Sequence, residues 1–288
     1  MTMSAVEAVR LDKPLPSEID VFGLTHRGHV RPTNADHFLV AGFHRAMKVH
    51  ATSLGGDPLQ LSTYSRGYIF LVADGVGSLV HGAQGSEHAV ESISGSLLDM
   101  TEICLETEPH RESEMLERIK TSVSKAHAAI LELGRSGGRH EEAATTLTMA
   151  IAVWPRLFII HAGDSRFYRF HQGELQRLTT DQTMAQAMVE SGIMSRDAAE
   201  RSNYRNVLLS ALGSSQFEPE IIVADIDRAD ISMLCTDGLT RHVREEEISG
   251  RLEQGGSAES ICRDLVELAL ARGGEDNVTV VIGKVRTT

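Results

Sequence analysis

Short apolar runs separated by turn-rich polar segments make up most of the chain. Two long stretches instead repeat apolar residues every three or four positions. The run Tyr68–Ala73 is mostly apolar and β-prone, and its length predicts a strand buried on both faces. Val21–Thr25 and His37–Ala41 predict two more strands. From Gly82 to Thr107 the pattern turns helical, with Ala89, Ile93, Leu97 and Met100 on one face. A second stripe, Leu116, Ile119, Val123, Ala126, Ile130 and Leu133, predicts another long helix, with Gly134 as its stop. The two helices are expected to pack as an antiparallel pair with both stripes facing the core.

The next section is rich in strands. Thr145–Val153 and Leu157–Ala162 flank Trp154-Pro155-Arg156, while Ser165–Phe170 and Glu174–Leu178 flank His171-Gln172-Gly173, so two hairpins are predicted. Ile221–Ala224, Ile231–Cys235 and Val278–Ile282 complete the strands. Ser257 is placed to cap a helix ending at Ala271, with Ile261, Leu265, Leu268 and Ala269 inward. Successive hairpins imply antiparallel pairing. With two helices between the strand groups, the fold class is α+β, with sheets sandwiched between helices. Residues 1–18 are expected to be a flexible leader, 19–285 one domain, and 43–67 a loop insertion. No internal repeat or dividing linker is evident.

Composition narrows the function classes. The net charge of -12 and the lack of a Lys/Arg-dense run argue against general nucleic-acid binding. They do not exclude a phosphorylated substrate, because bound metal ions reverse the local sign. Cys104, Cys235 and Cys262 are too widely spaced for a disulfide framework or a CxxC zinc site, so reduced thiols in a cytoplasmic protein are expected. The N-terminus has no apolar segment of the secretory kind, and no stretch is long enough to span a bilayer, so no membrane association is expected.

Several strands end or begin at an acidic residue. Asp74 follows Val72-Ala73, Asp164 follows His161-Ala162-Gly163, and Asp237 follows Cys235-Thr236. Asp276 precedes Asn277-Val278, and Asp36 precedes His37-Phe38. Any one alone reads as an ordinary turn residue, Asp74-Gly75 included. Five at the ends of core strands could converge on one rim, where like charges repel and some would stay protonated. Hard dications relieve that cost and prefer oxygen ligands; Mg²⁺ or Mn²⁺ suits a site without clustered His and Cys. Two such ions would turn a bridging water into a hydroxide nucleophile and stabilise in-line displacement at phosphorus. Arg31, close before Asp36, is a candidate phosphate ligand, although position alone also fits a solvated loop arginine.

The residues resemble the metal-dependent protein phosphatase family of the protein phosphatase 2C type, in its compact bacterial form. The resemblance is carried by Arg31-Pro-Thr-Asn-Ala-Asp36, Val72-Ala-Asp-Gly-Val-Gly77, Ala144-Thr-Thr-Leu147, Gly163-Asp-Ser-Arg166, Leu178-Thr-Thr-Asp181, Ala211-Leu-Gly213, Cys235-Thr-Asp-Gly-Leu239 and Glu275-Asp-Asn-Val-Thr279. It implies a four-layer α-β-β-α sandwich, two mainly antiparallel sheets flanked by helix pairs. It also implies a phosphoserine/phosphothreonine protein phosphatase with two or three Mn²⁺ or Mg²⁺ ions. By the same resemblance, Asp74 would bridge two ions and the Gly75 carbonyl would bind one. Asp237 and Asp276 would ligate the first ion, and Asp36 would act through water. Asp164 with Asp237 would hold a third ion, and Arg31 would bind the substrate phosphate. Residues 181–205 would form a flap, and the partners would be phosphorylated Ser/Thr proteins and an opposing Ser/Thr kinase.

The chain departs from the family pattern at specific points. Ala35 replaces a Glu or Gln, which leaves the second ion fewer protein ligands where the family has Glu. Gly77-Ser78-Leu79 and Gly82-Ala83 replace other family glycine motifs, and Asp181-Gln182 replaces Asp-His. Val76 stands where some relatives carry a general-acid histidine, and the nearby His81 aligns with no family histidine. These departures keep open a non-catalytic regulator on the same fold. A phosphatase acting on an anti-sigma-factor antagonist is a third reading.

Overall fold

The computed structural model describes residues 13–45, 64–76, 79–98, 112–136 and 143–286. In chain order its elements are β1 (Ile19–His26), β2 (Asp36–Arg45), β3 (Tyr64–Val76), α1 (Leu79–Leu98) and α2 (Glu112–Ser136). Then come β4 (Ala144–Thr145), β5 (Leu147–Val153), β6 (Arg156–Ala162), β7 (Arg166–His171) and β8 (Glu174–Arg177). The short helices α3 (Met184–Glu190) and α4 (Arg196–Glu200) precede β9 (Glu220–Asp225) and β10 (Ile231–Cys235). The chain closes with α5 (Asp237–Thr240), α6 (Glu245–Glu253), α7 (Ala258–Ala271) and β11 (Val278–Val285).

Two sheets result. One has the strand order β1-β11-β10-β7-β8, the other β2-β3-β5-β6-β9, with β4 paired to the end of β3. Neighbouring strands are antiparallel. The period-two alternation of the strands explains the layering. In β3, Phe70 and Val72 face the other sheet, where Phe167, Leu234 and Val281 meet them. Ile69, Leu71 and Ala73, one position off, instead pack with Ala89 and Ile93 of α1 and with Ile119, Val123 and Ile130 of α2. Across the sandwich, Met233, Cys235, Val280 and Ile282 pack on Ile261, Leu265 and Ala269 of α7. Three apolar layers thus separate helices, sheet, sheet and helices, which matches the four-layer expectation.

Several boundaries differ from the sequence reading. Strand structure enters the expected 43–67 loop from both sides, because β2 runs to Arg45 and β3 starts at Tyr64; 46–63 lies outside the described residues. α1 begins at Leu79 and is described to Leu98, so the expected continuation to Thr107 also lies outside them. Gly134 does not stop α2, which continues to Ser136. Thr146 splits the expected Thr145–Val153 strand, for a reason given below. At the end of the expected leader, Pro16–Glu18 forms a 3-10 turn, and Glu18 pairs with Arg228 at 2.6 Å. The helices α5 and α6 were not expected. α6 starts with three glutamates, whose charge suits a helix N-terminus, and buries only Ile248 and Leu252.

Leu234 is fully buried between the sheets. Leu234→Ala should cost about 2–5 kcal/mol of unfolding free energy. Urea denaturation followed by circular dichroism measures it, and a loss below about 1 kcal/mol would contradict this packing.

Candidate metal centre

The pairing of β2 with β3 sets Asp36 directly opposite Asp74. Side chains at such positions share a face of the sheet, and like charges there repel. Asp74-Gly75 is not a turn. β3 runs on through it, pairing Gly75 with Thr145 and Val76 with Ala144. The Asp74 main chain is held on both sides: its N–H donates to Thr146 Oγ1 at 3.0 Å. Its carbonyl accepts from the Thr146 N–H and the Thr145 hydroxyl, each at 2.8 Å. Those bonds are why Thr146 leaves the strand ladder. Gly75 is required by close approach, since a Cβ there would overlap the Gly82 carbonyl.

Hydrogen bonds from the facing sheet hold Asp36, and Asp237 and Asp276 lie at that facing sheet's ends. Asp36 is buried, and its Oδ2 accepts from Thr236 Oγ1 at 2.8 Å and Thr279 Oγ1 at 2.7 Å. Asp237 starts α5 immediately after β10, and Asp276 lies just before β11. Asn277 binds the two ends of the site together. Its Oδ1 accepts from the Ala35 N–H at 2.7 Å, and its Nδ2 donates to the Arg27 and Thr33 carbonyls at 2.8 and 3.0 Å. Asp164 sits in the turn after β6, where Gly163 has φ 113°. Gln182 closes that turn with two bonds to the Gly163 main chain, at 2.7 and 3.1 Å.

The five carboxylates lie close enough for their charges to act on one another. Burial lifts the Asp36 pKa from 3.8 to about 7, with Asp237 and Asp276 adding to the rise and the threonine hydroxyls opposing it. Asp74 is pushed well above the ordinary range by burial first, then by Asp36, Asp237, Asp164 and Asp276. Burial and Asp237 push Asp164 the same way. Asp237 is raised by burial, with Arg241 as the largest opposing influence.

Two observations test whether this donor set suits hard cations. All five side chains offer only oxygen, and two of those atoms, Asp36 Oδ1 and Asp237 Oδ1, are buried and have no hydrogen-bond partner among the described residues. The set fits Mn²⁺ or Mg²⁺ in kind. Among the described residues, however, no three His, Cys, Asp or Glu side chains already stand as a ligating group. Arginines hold two of the carboxylates instead. Asp276 Oδ2 accepts from Arg31 at 2.7 Å and from Arg241 at 3.0 Å, and Arg241 also pairs with Asp237 Oδ2.

The structure thus brings together Asp36, Asp74, Asp164, Asp237 and Asp276, with Gly75 beside Asp74 and Arg31 at the mouth, 46% exposed. The side chain of His81 lies outside the described residues. Sequence reasoning missed Arg241, Thr236, Thr279 and Asn277. Arg241 had one available signal, its position one helical turn after Asp237.

A family model described as protein phosphatase 2C matches residues 47–273. The chain belongs to the protein phosphatase 2C family. The serine/threonine phosphatase stp of Listeria welshimeri is 31% identical over 217 residues, covering 74% of this chain and 83% of that protein. The serine/threonine protein phosphatase PstP of Mycobacterium tuberculosis is 32% identical over 224 residues, covering 78% of this chain. The chain spans only 41% of that relative's length. The crystal structure of M. tuberculosis PstP/Ppp superposes with a TM-score of 0.75 at 26% identity, covering 93% of this chain and 99% of that one. The PstP catalytic domain in complex with two manganese ions gives 0.73 at 27% identity, with coverage of 93% and 99%. The family match leaves out Arg31, Asp36 and Asp276, whereas the sandwich carries all three to the site.

Between about pH 4 and 7 the folded chain keeps a proton on Asp36 that the unfolded chain has released. Without divalent metal, stability therefore falls as pH rises through that window. Asp36→Asn should flatten the slope of melting temperature against pH in EDTA. An unchanged slope would assign the dependence to other groups.

Proposed function

We propose that the chain is a metal-dependent protein phosphatase hydrolysing phosphoserine and phosphothreonine. The convergence of five carboxylates from separate segments, two with unpartnered buried oxygens, carries this reading. Asp74 would bridge two Mn²⁺ or Mg²⁺ ions, with the Gly75 carbonyl on one of them. Asp237 and Asp276 would ligate the first ion, and Asp36, restrained by its two threonines, would act through water. Asp164 with Asp237 would hold a third ion. Bound dications supply Lewis acidity, lowering the pKa of water and offsetting charge on the phosphoryl oxygens.

The remaining work falls to the chain's own side chains. Arg31 spends one N–H on Asp276, which aims its half-exposed guanidinium over the rim. Its other donors are free to grip two oxygens of a phosphate monoester. Residues 181–205, containing α3, α4 and the start of the turn Asn203–Asn206, would be the flap over that mouth. Arg166 anchors the base of the flap through a two-bond pair with Asp181, at 2.9 and 2.6 Å. The substrates would be phosphorylated Ser/Thr proteins, with a Ser/Thr kinase acting in opposition. No described helix is long and apolar enough to cross a membrane; a cytoplasmic location is part of this proposal.

Ala35 favours a second reading, a regulator without turnover, because it contributes no side-chain ligand. Its main chain still serves the site: the carbonyl accepts from the Gly75 N–H at 3.1 Å and from Ser86 Oγ at 2.6 Å. One assay separates the readings. The protein should hydrolyse an aryl phosphate and a phosphothreonine peptide with Mn²⁺ or Mg²⁺, and EDTA should abolish the reaction. Folded protein without turnover at millimolar Mn²⁺ would establish the regulator.

Asp237→Asn should lower kcat by more than the about 10–100-fold typical of an outer-shell partner, with the fold retained by circular dichroism. Ala35→Glu should lower the Mn²⁺ concentration giving half-maximal rate. Unchanged metal dependence in Ala35→Glu would refute the account of the second ion.

A further inference from the structure

Arg241 holds the oxygens that the proposed function assigns to the first ion. It follows α5 directly, so its side chain turns back one helical turn onto Asp237. Its second arm reaches Asp276 Oδ2 at 3.0 Å, and the same guanidinium donates to Asn206 Oδ1 at 3.2 Å. A surface pair one turn apart contributes little and would explain nothing. This one is different in burial, with Arg241 only 23% and Asp237 only 12% exposed. It is also incomplete. The guanidinium satisfies Asp237 Oδ2, while Oδ1 of the same carboxylate is buried with no partner among the described residues. A half-satisfied buried carboxylate is a costly arrangement. A dication has twice the charge and accepts several oxygens at once, so it is the better partner for the same group.

We propose that Arg241 is an internal competitor for the first metal: its guanidinium bridges Asp237 and Asp276 until a divalent ion displaces it. The proposal rests on the metal-centre reading above and adds a role for a residue outside the ligand set. Between metal-binding events, Arg241 keeps two repelling carboxylates close together. On loading it must leave them, and its bond to Asn206 is drawn away with it. Asn206 ends the turn Asn203–Asn206, so metal occupancy is coupled to the end of the flap segment.

Isothermal titration of the whole chain with MnCl₂, after EDTA treatment and dialysis, tests the competition without any turnover. Arg241→Gln should bind the tightest Mn²⁺ about tenfold more strongly than the unmodified chain. Its metal-free melting temperature should fall, so that the gain in melting temperature on adding Mn²⁺ widens. Arg241→Lys keeps the charge but cannot bridge both carboxylates, so it should show a smaller gain in affinity. It also keeps the test open if Arg241→Gln does not fold. Affinity unchanged or weakened in the folded variants would overturn the proposal. Failure of the unmodified chain to bind Mn²⁺ at all would instead overturn the metal-centre reading. Hydrogen exchange of peptides covering 203–207 reads the coupling: exchange should speed up on adding Mn²⁺ to the unmodified chain. In Arg241→Gln it should be fast with or without metal. Exchange insensitive to Mn²⁺ in the unmodified chain would overturn the link to the flap.

Discussion

Asp36 and Asp74 face each other across neighbouring antiparallel strands, and nothing in the ladder relieves their repulsion. The surrounding sandwich is organised to hold that unfavourable pair in place. Main-chain bonds from Thr145 and Thr146 fix Asp74, and two threonine hydroxyls from the opposite sheet fix Asp36. Because these restraints act on the Asp74 backbone and on one Asp36 oxygen only, Asp36 Oδ1 is left without a hydrogen-bond partner among the described residues. A site that concentrates negative charge in this way is unstable on its own terms and receptive to cations. The apolar layers on either side supply the stability that the rim subtracts.

The two sheets contribute different halves of the centre. Asp36, Asp74 and Asp164 come from the sheet backed by α1 and α2 and from its turns, while Asp237 and Asp276 flank the ends of β10 and β11 of the other. Sheet-to-sheet packing therefore decides whether the halves meet. Asn277 ties them directly, since its side chain holds the 27–35 segment while its main chain enters β11. Gly28 permits the same contact, having φ 78° and no room for a Cβ beside the Asp276 carbonyl. Small changes between the layers would thus be felt as changes in carboxylate spacing, even where no ligand is touched.

The strands were legible because buried strands leave apolar runs, and α2 because its stripe persists over several turns. The carboxylates were legible as a set for a related reason: each interrupts or borders an apolar run, where an acidic residue needs an explanation. Other features left no such trace. α5 has four residues and no room for a period, and α6 is mostly acidic on its first turn. The limits of 43–67 were misplaced because polar residues in β2 and β3 look like loop. Asp74-Gly75 reads as a turn in any local window, and only the pairing with β4 shows a strand passing through. Thr236, Thr279 and Asn277 act through hydrogen bonds to Asp36 and the Arg27–Ala35 loop, two hundred or more residues away, which no local pattern encodes.

Charge balance explains why arginines stand among these carboxylates without completing the site. Two guanidinium groups, Arg31 and Arg241, bond directly to Asp276 and Asp237, which leaves three of the five acidic groups without an arginine bonded to them among the described residues. The two arginines differ in consequence. Arg31 is half exposed at the mouth and, among the described residues, hydrogen-bonds with its side chain only to Asp276, so it can turn toward an incoming anion without releasing the centre. Arg241 is enclosed and bridges two carboxylates, so it cannot move without freeing them. An arginine is also a poor final occupant, because its N–H donors all lie in one plane. Oxygens converging from several directions call for a spherical ion of higher charge. The same geometry that makes Arg241 a fitting placeholder makes it displaceable.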